Sequence, residues 1–282
     1  MKETDNLSQK EVSILLENRL EKESTTFMFA LAKRLTDKNN IQEALSVLEW
    51  INNRDDSFKY TSGNKLKHQK AILLSHNSIK DWDGAIDILR SLYHSCNYHL
   101  EEPEILTLLA SNYKRKALDG SKNKDEVDMN LLTSTLCLYE DSYNLKPNNK
   151  KHYDAINMAY LYNIVDAIES EYADKTEIEI LYKKLSEIWE VDTTQWWDVC
   201  TNAEFLMLLG EVDLAIEKMD EFFKFYGKTI NPFAIEDVLF RQLRLYIKFT
   251  DDEGAKRFLG YLEGEWEKLI KKNFLINFSS YS

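Results

Sequence analysis

Apolar residues recur at three- and four-residue intervals along most of this chain, the spacing that lays a stripe along an α-helix. The pattern is clearest from Trp196 to Met219, two amphipathic segments hinged at Leu209-Gly210-Glu211. Ala203 and Ala215 stand twelve positions apart, one in each segment. Two antiparallel helices must approach closely somewhere, and a small side chain on each permits it. Leu206, Leu209, Ile216, Met219 and Phe222 are expected to fill the rest of the seam. Gly210 suits the helix end, where a left-handed backbone costs glycine little. The same twelve-residue interval separates Ala32 from Ala44, Leu73 from Ala85 and Leu243 from Ala255. Such hairpins cannot bury their apolar faces alone, so they must stack on one another.

These markers divide the chain. A first helix over residues 8–22, with Val12, Leu15, Leu16 and Leu20 on one face, is expected to cap the array. Hairpins follow at about Thr25–Asn52 and Lys65–Ser95, joined by a polar connector from Arg54 to Gly63. Pro103 marks the start of a third, since the first turn of a helix tolerates proline. That hairpin is interrupted: Ala110 and Thr135 lie 25 positions apart, so thirteen residues are inserted. The insertion, residues 119–130, is charged and reads as a mobile loop, either a solvated spacer or a functional element. A fourth hairpin covers His152–Glu171 and Thr176–Glu190, the fifth is the Trp196 stretch, and Pro232 opens a sixth. Long helices with eight Gly and three Pro in 282 residues, and no run of alternating strands, make the fold all-α.

The chain resembles the tetratricopeptide repeat, a helix–turn–helix unit with small residues at the helix crossing. Its repeat tail is matched best by Leu138-Tyr139-Glu140-Asp141-Ser142-Tyr143-Asn144-Leu145-Lys146-Pro147. The markers advance 41 residues from Ala44 to Ala85 and 40 from Ala215 to Ala255, longer than the standard repeat of about 34. The resemblance implies a right-handed α-solenoid of about six hairpins forming one domain over residues 1–282. A narrower likeness rests on Tyr153, Ile156, Asn157 and Ala159, then Trp197, Asp198, Ala203, Glu204, Leu209 and Gly210. In this pattern, residues 100–225 are similar to the TRAFs-binding region of the apoptosis-signal-regulating kinases and its bacterial relatives. No kinase motif accompanies it. The likeness therefore implies an interaction or regulatory module, attached to a signalling or defence effector.

Charge and chemistry narrow the function. With 36 basic and 48 acidic residues the net charge is −12, which opposes nonspecific nucleic-acid binding. No stretch reaches eighteen uninterrupted apolar residues, and Met1–Leu20 is polar, so neither a membrane span nor a targeting peptide is expected. Cys96, Cys137 and Cys200, odd in number and dispersed, read as reduced core or near-core thiols of a cytoplasmic protein. Gly227-Lys228-Thr229 has the tail of a phosphate loop, but the loop's first glycine would fall at Phe222. His94, Cys96 and His99 lack a fourth ligand or a second cluster, so no metal is assigned. No cofactor and no catalytic residue are expected.

Candidate binding residues come from the first helices of the hairpins, which line the concave side of such arrays. Lys33, Lys67, Lys70, Asn77, Lys114 and Arg115 lie near the markers but off the seam, and are disproportionately basic for this chain. Asn157 and Asn163 lie in the otherwise apolar helix Ala155–Ile168, where an amide must find partners. They either bond a neighbouring helix or line the groove. The resulting expectation is a non-enzymatic scaffold or regulatory subunit that binds a protein or peptide, with an acidic segment, on its concave face. The rival class is an all-α enzyme of the α/α-barrel type, using carboxylates near Trp196 and Trp197.

Overall fold

Small side chains at fixed intervals set where helices cross, and the structure, a computed structural model, follows that interval. It describes residues 24–37, 39–53, 58–94, 102–147, 151–169, 180, 182–183, 196–226 and 239–279. The expected capping helix at 8–22, the start of the sixth hairpin at Pro232, the Gly227-Lys228-Thr229 stretch, Cys96 and His99 lie outside these residues, as does most of Thr176–Glu190.

The helices are α1 (Thr25–Asp37), α2 (Ile41–Asn53), α3 (Phe58–Leu74), α4 (Trp82–Tyr93), α5 (Glu102–Asp119) and α6 (Met129–Leu145). They continue as α7 (His152–Ile168), α8 (Trp196–Leu208), α9 (Val212–Tyr226), α10 (Arg241–Thr250) and α11 (Glu253–Ser279), with a 3-10 turn at Lys124–Glu126. Among the described residues there is no strand, and the fold is all-α, built of helical hairpins. The chain divides into two compact units, Met1–Tyr113 and Lys114–Ser282, with the division falling inside α5.

In the first unit α1 packs on α2, α2 on α3 and α3 on α4. Met28, Leu31, Ala32 and Leu35 of α1 meet Ile41, Ala44, Val47, Leu48 and Ile51 of α2, joined by Leu66 and Leu73 of α3. A fully buried Leu or Ile of this kind contributes roughly 1.5–3 kcal/mol by removal from water. Ser75 Oγ donates to Asn112 Oδ1 at 2.7 Å, and Asn112 Nδ2 to Leu108 O at 2.8 Å, so a polar pair closes inside the unit without an unpaired amide.

In the second unit α6 packs on α7, α7 on α8 and α10, α8 on α9, and α11 on α8, α9 and α10. All the marker residues are fully buried: Ala32, Ala44, Leu73, Ala85, Ala110, Thr135, Ala203, Ala215, Leu243 and Ala255 each retain 0% exposure. Ala110 and Thr135, on either side of the insertion, are as fully buried as the others.

The tight turns share one device. Asn39 (φ 62°), Lys80 (φ 56°), Gly210 (φ 82°) and Asp251 (φ 59°) are left-handed, one after each of α1, α3, α8 and α10. At Gly210 the amides of Gly210 and Glu211 bond Met207 O at 3.0 Å and Leu206 O at 2.9 Å; Asn39 and Asn40 repeat this with Thr36 O and Leu35 O. This reversed pair of hydrogen bonds satisfies carbonyls that the helix end would otherwise leave open. Two of the following helices, α4 and α11, begin with carboxylate caps, Asp81 accepting from Gly84 N at 3.0 Å and Asp252 from Ala255 N at 2.7 Å.

Three sequence expectations change. The connector Arg54–Gly63 is helical from Phe58 onward, since polar residues alone do not stop a helix when neither Pro nor a cap interrupts it. In the α8–α9 seam Met219 and Phe222 are buried, but Leu206 and Ile216 are half-buried and Leu209 is 44% exposed, because α8 ends at Leu208 and the turn swings Leu209 outward. Cys200 is buried as expected, whereas Cys137 is exposed, on the side of α6 away from Thr135 and Tyr139.

Enlarging Ala203 or Ala215 to Leu overpacks this crossing and lowers stability by roughly 1–3 kcal/mol, read as a fall in denaturant midpoint. Lys80→Gly acts oppositely. It relieves the left-handed strain of an L-residue, a gain of about 1 kcal/mol after the cost of a more flexible unfolded chain, seen as a raised midpoint at unchanged denaturant slope.

Candidate functional site

Helix α7 generates the site. Eight consecutive residues, Asp154 to Leu161, are buried, more than two turns with no solvent-facing side. Every polar group on that stretch must therefore find a partner inside the protein. Asp154, Asn157, Tyr160 and Asn163 are spaced by three, so each successive one is rotated about 60° from the last, and each meets a different neighbour. Asp154 takes Ser142 Oγ at 2.9 Å and Lys146 Nζ at 2.6 Å from α6 and the residue that caps it. Asn157 Oδ1 accepts from the Lys114 ammonium of α5, while its Nδ2 donates to Tyr153 O at 2.7 Å. Tyr160 OH donates to Glu204 Oε1 of α8 at 3.1 Å. Asn163 Nδ2 donates to Tyr182 OH at 2.7 Å.

Helix α10 completes the cluster. Gln242 Oε1 is the second acceptor of Lys114, and the Tyr246 ring stands edge-on to Tyr160 at 5.1 Å between centroids. Arg241 pairs with Asp119 at the end of α5, and Lys248 Nζ donates to the Ser121 carbonyl just beyond it. On the α8 side, His152 Nδ1 lies 4.0 Å from Asp198 Oδ1.

The electrostatics follow from burial. Lys114 is 8% exposed and Glu204 4%. Desolvation, then the charges of Arg115 and Arg241, lower the Lys114 ammonium to about 7, with Glu204 and Asp119 partly opposing. Desolvation raises Glu204 to about 8, against the Tyr160 hydrogen bond and the charge of Lys114. Burial and then Glu204 push the Tyr160 phenol and the Cys200 thiol upward, so neither ionises near neutral pH. Among the described residues, no group of three or more His, Cys, Asp or Glu is placed to hold a metal ion.

The sequence candidates separate by burial. Lys33 on α1 and Lys67 on α3 are exposed, Lys33 lying 5.5 Å from the centre of the Phe29 ring. Lys70 is half-buried, 3.8 Å from Glu49, and Asn77 and Arg115 are also half-buried. α1 and α3 are in contact, with Gln69 Nε2 at 3.5 Å from Thr36 Oγ1. Lys114 is a correction: it is an interior side chain, not part of an open basic face. Its position carried the signal, for it follows Ala110 by four, on the stripe shared by Leu106, Tyr113 and Ala117. Asn157, at 1% exposure, bonds a neighbouring helix; Asn163 is half-buried beside Tyr182. Gln242 and Tyr160 escape sequence reading, because nothing local distinguishes them from ordinary helix residues. The carboxylate of the barrel-enzyme alternative, Glu204, is buried and hydrogen-bonded to Tyr160 rather than open to a substrate.

The insertion is organised by its own polar groups. Asn123 Oδ1 accepts from Glu126 N at 3.2 Å, Glu126 Oε2 from Lys122 N at 2.8 Å, and the Ser121 hydroxyl is buried between Ala117 O and Glu126 O. Lys124 Nζ donates to Ala167 O at 2.6 Å, which ties the turn to the end of α7.

Residues 40–162 match the family model described as Tetratricopeptide Repeats-Sensor. That span covers α2 through most of α7. No curated protein and no solved structure gives a significant match.

Replacing Asn157 with Ala removes one of the two acceptors of a buried ammonium. The loss is about 1–3 kcal/mol, the cost of an unsatisfied buried group, measured by chemical denaturation. Asn163→Ala, at a half-buried site, costs less.

Proposed function

We propose that this protein is a non-enzymatic interaction scaffold that binds a partner protein or peptide through the first helices of its hairpins, and that the partner presents an acidic segment. The observation that carries the reading is the tetratricopeptide-type match over residues 40–162, together with Lys33 and Lys67 exposed on the contacting helices α1 and α3. Lysines of one sign on neighbouring helices attract an oppositely charged segment and speed its association, even on a chain of net charge −12. Lys70 supports the same face at its edge, partly neutralised by Glu49. The likeness of residues 100–225 to the TRAFs-binding region supports a regulatory role beside a signalling or defence effector, and the matched family's own description as a sensor agrees with it. A cytoplasmic setting fits this role. Among the described residues no helix is long and apolar enough to cross a membrane.

The test is parallel capture from the native source with the wild-type chain and with Lys33→Glu/Lys67→Glu. Both lysines are exposed, so the variant keeps its melting temperature within about 1 °C, surface charges contributing little to folding. A partner retained by the wild type, lost by the variant and released by moderate salt supports the reading. An identical set of partners with identical salt release removes the lysine face as the site.

A further inference from the structure

Two ionisable side chains of opposite type lie buried in the second unit without touching each other. Lys114 Nζ donates to two neutral amides, Asn157 of α7 and Gln242 of α10. Glu204 of α8 accepts only the Tyr160 hydroxyl. Among the described residues neither forms an ion pair. We propose that Lys114 and Glu204 form a proton-linked joint, a buried amine and acid whose combined charge state sets how readily α10 and the end of α5 part from α7 and α8.

The surrounding groups decide what the joint responds to. Facing Lys114 are Arg115 and Asp119 from its own helix, Arg241 from α10 and Glu204 from α8. Facing Glu204 are Tyr160 from α7 and Lys114 from α5, with Cys200 one turn earlier on α8 and Tyr246 of α10 against the Tyr160 ring. Arg241 and Asp119 are held in their own ion pair, and the phenols and the thiol stay protonated at neutral pH. Lys114 and Glu204 therefore remain to titrate in that range.

Opening the joint returns both groups to water, where they titrate at their ordinary values of 10.5 and 4.5. Glu204 is raised in the closed state, so its contribution to closure is present below 4.5 and lost as pH rises through about 8. Lys114 is lowered in the closed state, so its contribution is present above 10.5 and lost as pH falls through about 7. Between pH 5 and 7 only Glu204 changes appreciably against the open state, and the joint loosens as pH rises. Above 8 only Lys114 does, and it tightens. The closed arrangement is weakest near neutrality, and mild acid secures it.

Hydrogen exchange on the full chain, corrected for intrinsic rates, reads the opening directly. The amides of α10 and of the last turn of α5 open on the order of tenfold more often at pH 7.5 than at pH 5.5, by proton linkage. Glu204→Gln keeps a hydrogen-bonding partner for Tyr160 but removes the acid. In that variant the dependence reverses, and opening falls several-fold over the same interval because only Lys114 still responds. An unchanged dependence in the variant, or none in the wild type, overturns the proposal. A second reading needs no disrupted core: ε-carbon NMR of labelled lysines, with Lys114 assigned by its absence in Lys114→Arg. A lysine titrating near 7 supports the joint, and every lysine titrating at its ordinary value overturns it.

Discussion

The second unit depends on a stretch of helix with no outside. Because Asp154 to Leu161 are all buried, this part of α7 cannot leave a polar side chain to water, and each one instead specifies a neighbour. The apolar residues of α7 would pack against many arrangements of surrounding helices. Asp154, Asn157, Tyr160 and Asn163 are stricter, since each requires a complementary atom at a set distance. A satisfied polar core of this kind selects one packing among several of similar apolar burial, and a half-satisfied one would be worse than none.

The division of the basic residues follows from the same constraint. A lysine one position off the apolar stripe, such as Lys33 beside Ala32, points to water and keeps its charge available. A lysine on the stripe, such as Lys114 four residues after Ala110, is carried inside and must be supplied with acceptors. The two look alike in composition and differ by about 60° of helix rotation relative to the marker.

Much of the fold is readable from the residues alone, because helix crossings are local and repetitive. The twelve-residue markers all fall on fully buried residues, as do Ala110 and Thr135 on either side of the insertion. The left-handed turn at Gly210 is equally readable, whereas Asn39, Lys80 and Asp251 adopt the same conformation without glycine. The polar cluster is a different matter. Asn157 can be picked out by its apolar surroundings, but Gln242 and Tyr160 become special only through helices distant in sequence. Spacing along one helix cannot show a contact that two other segments create.

That distance has a consequence for how the molecule is made. Lys114 meets Gln242 128 residues later, Arg241 meets Asp119 across 122, and Lys248 meets the Ser121 carbonyl across 127. While a ribosome is still translating α7, α8 and α9, the end of α5 has emerged with a lysine, an aspartate and a carbonyl whose α10 partners do not yet exist. The first unit, in which α1 to α4 pack on sequence neighbours or next-neighbours, can assemble as it appears. The second must wait for α10 and α11, so a chain truncated before residue 240 has α6 to α9 but not the contacts that close this unit.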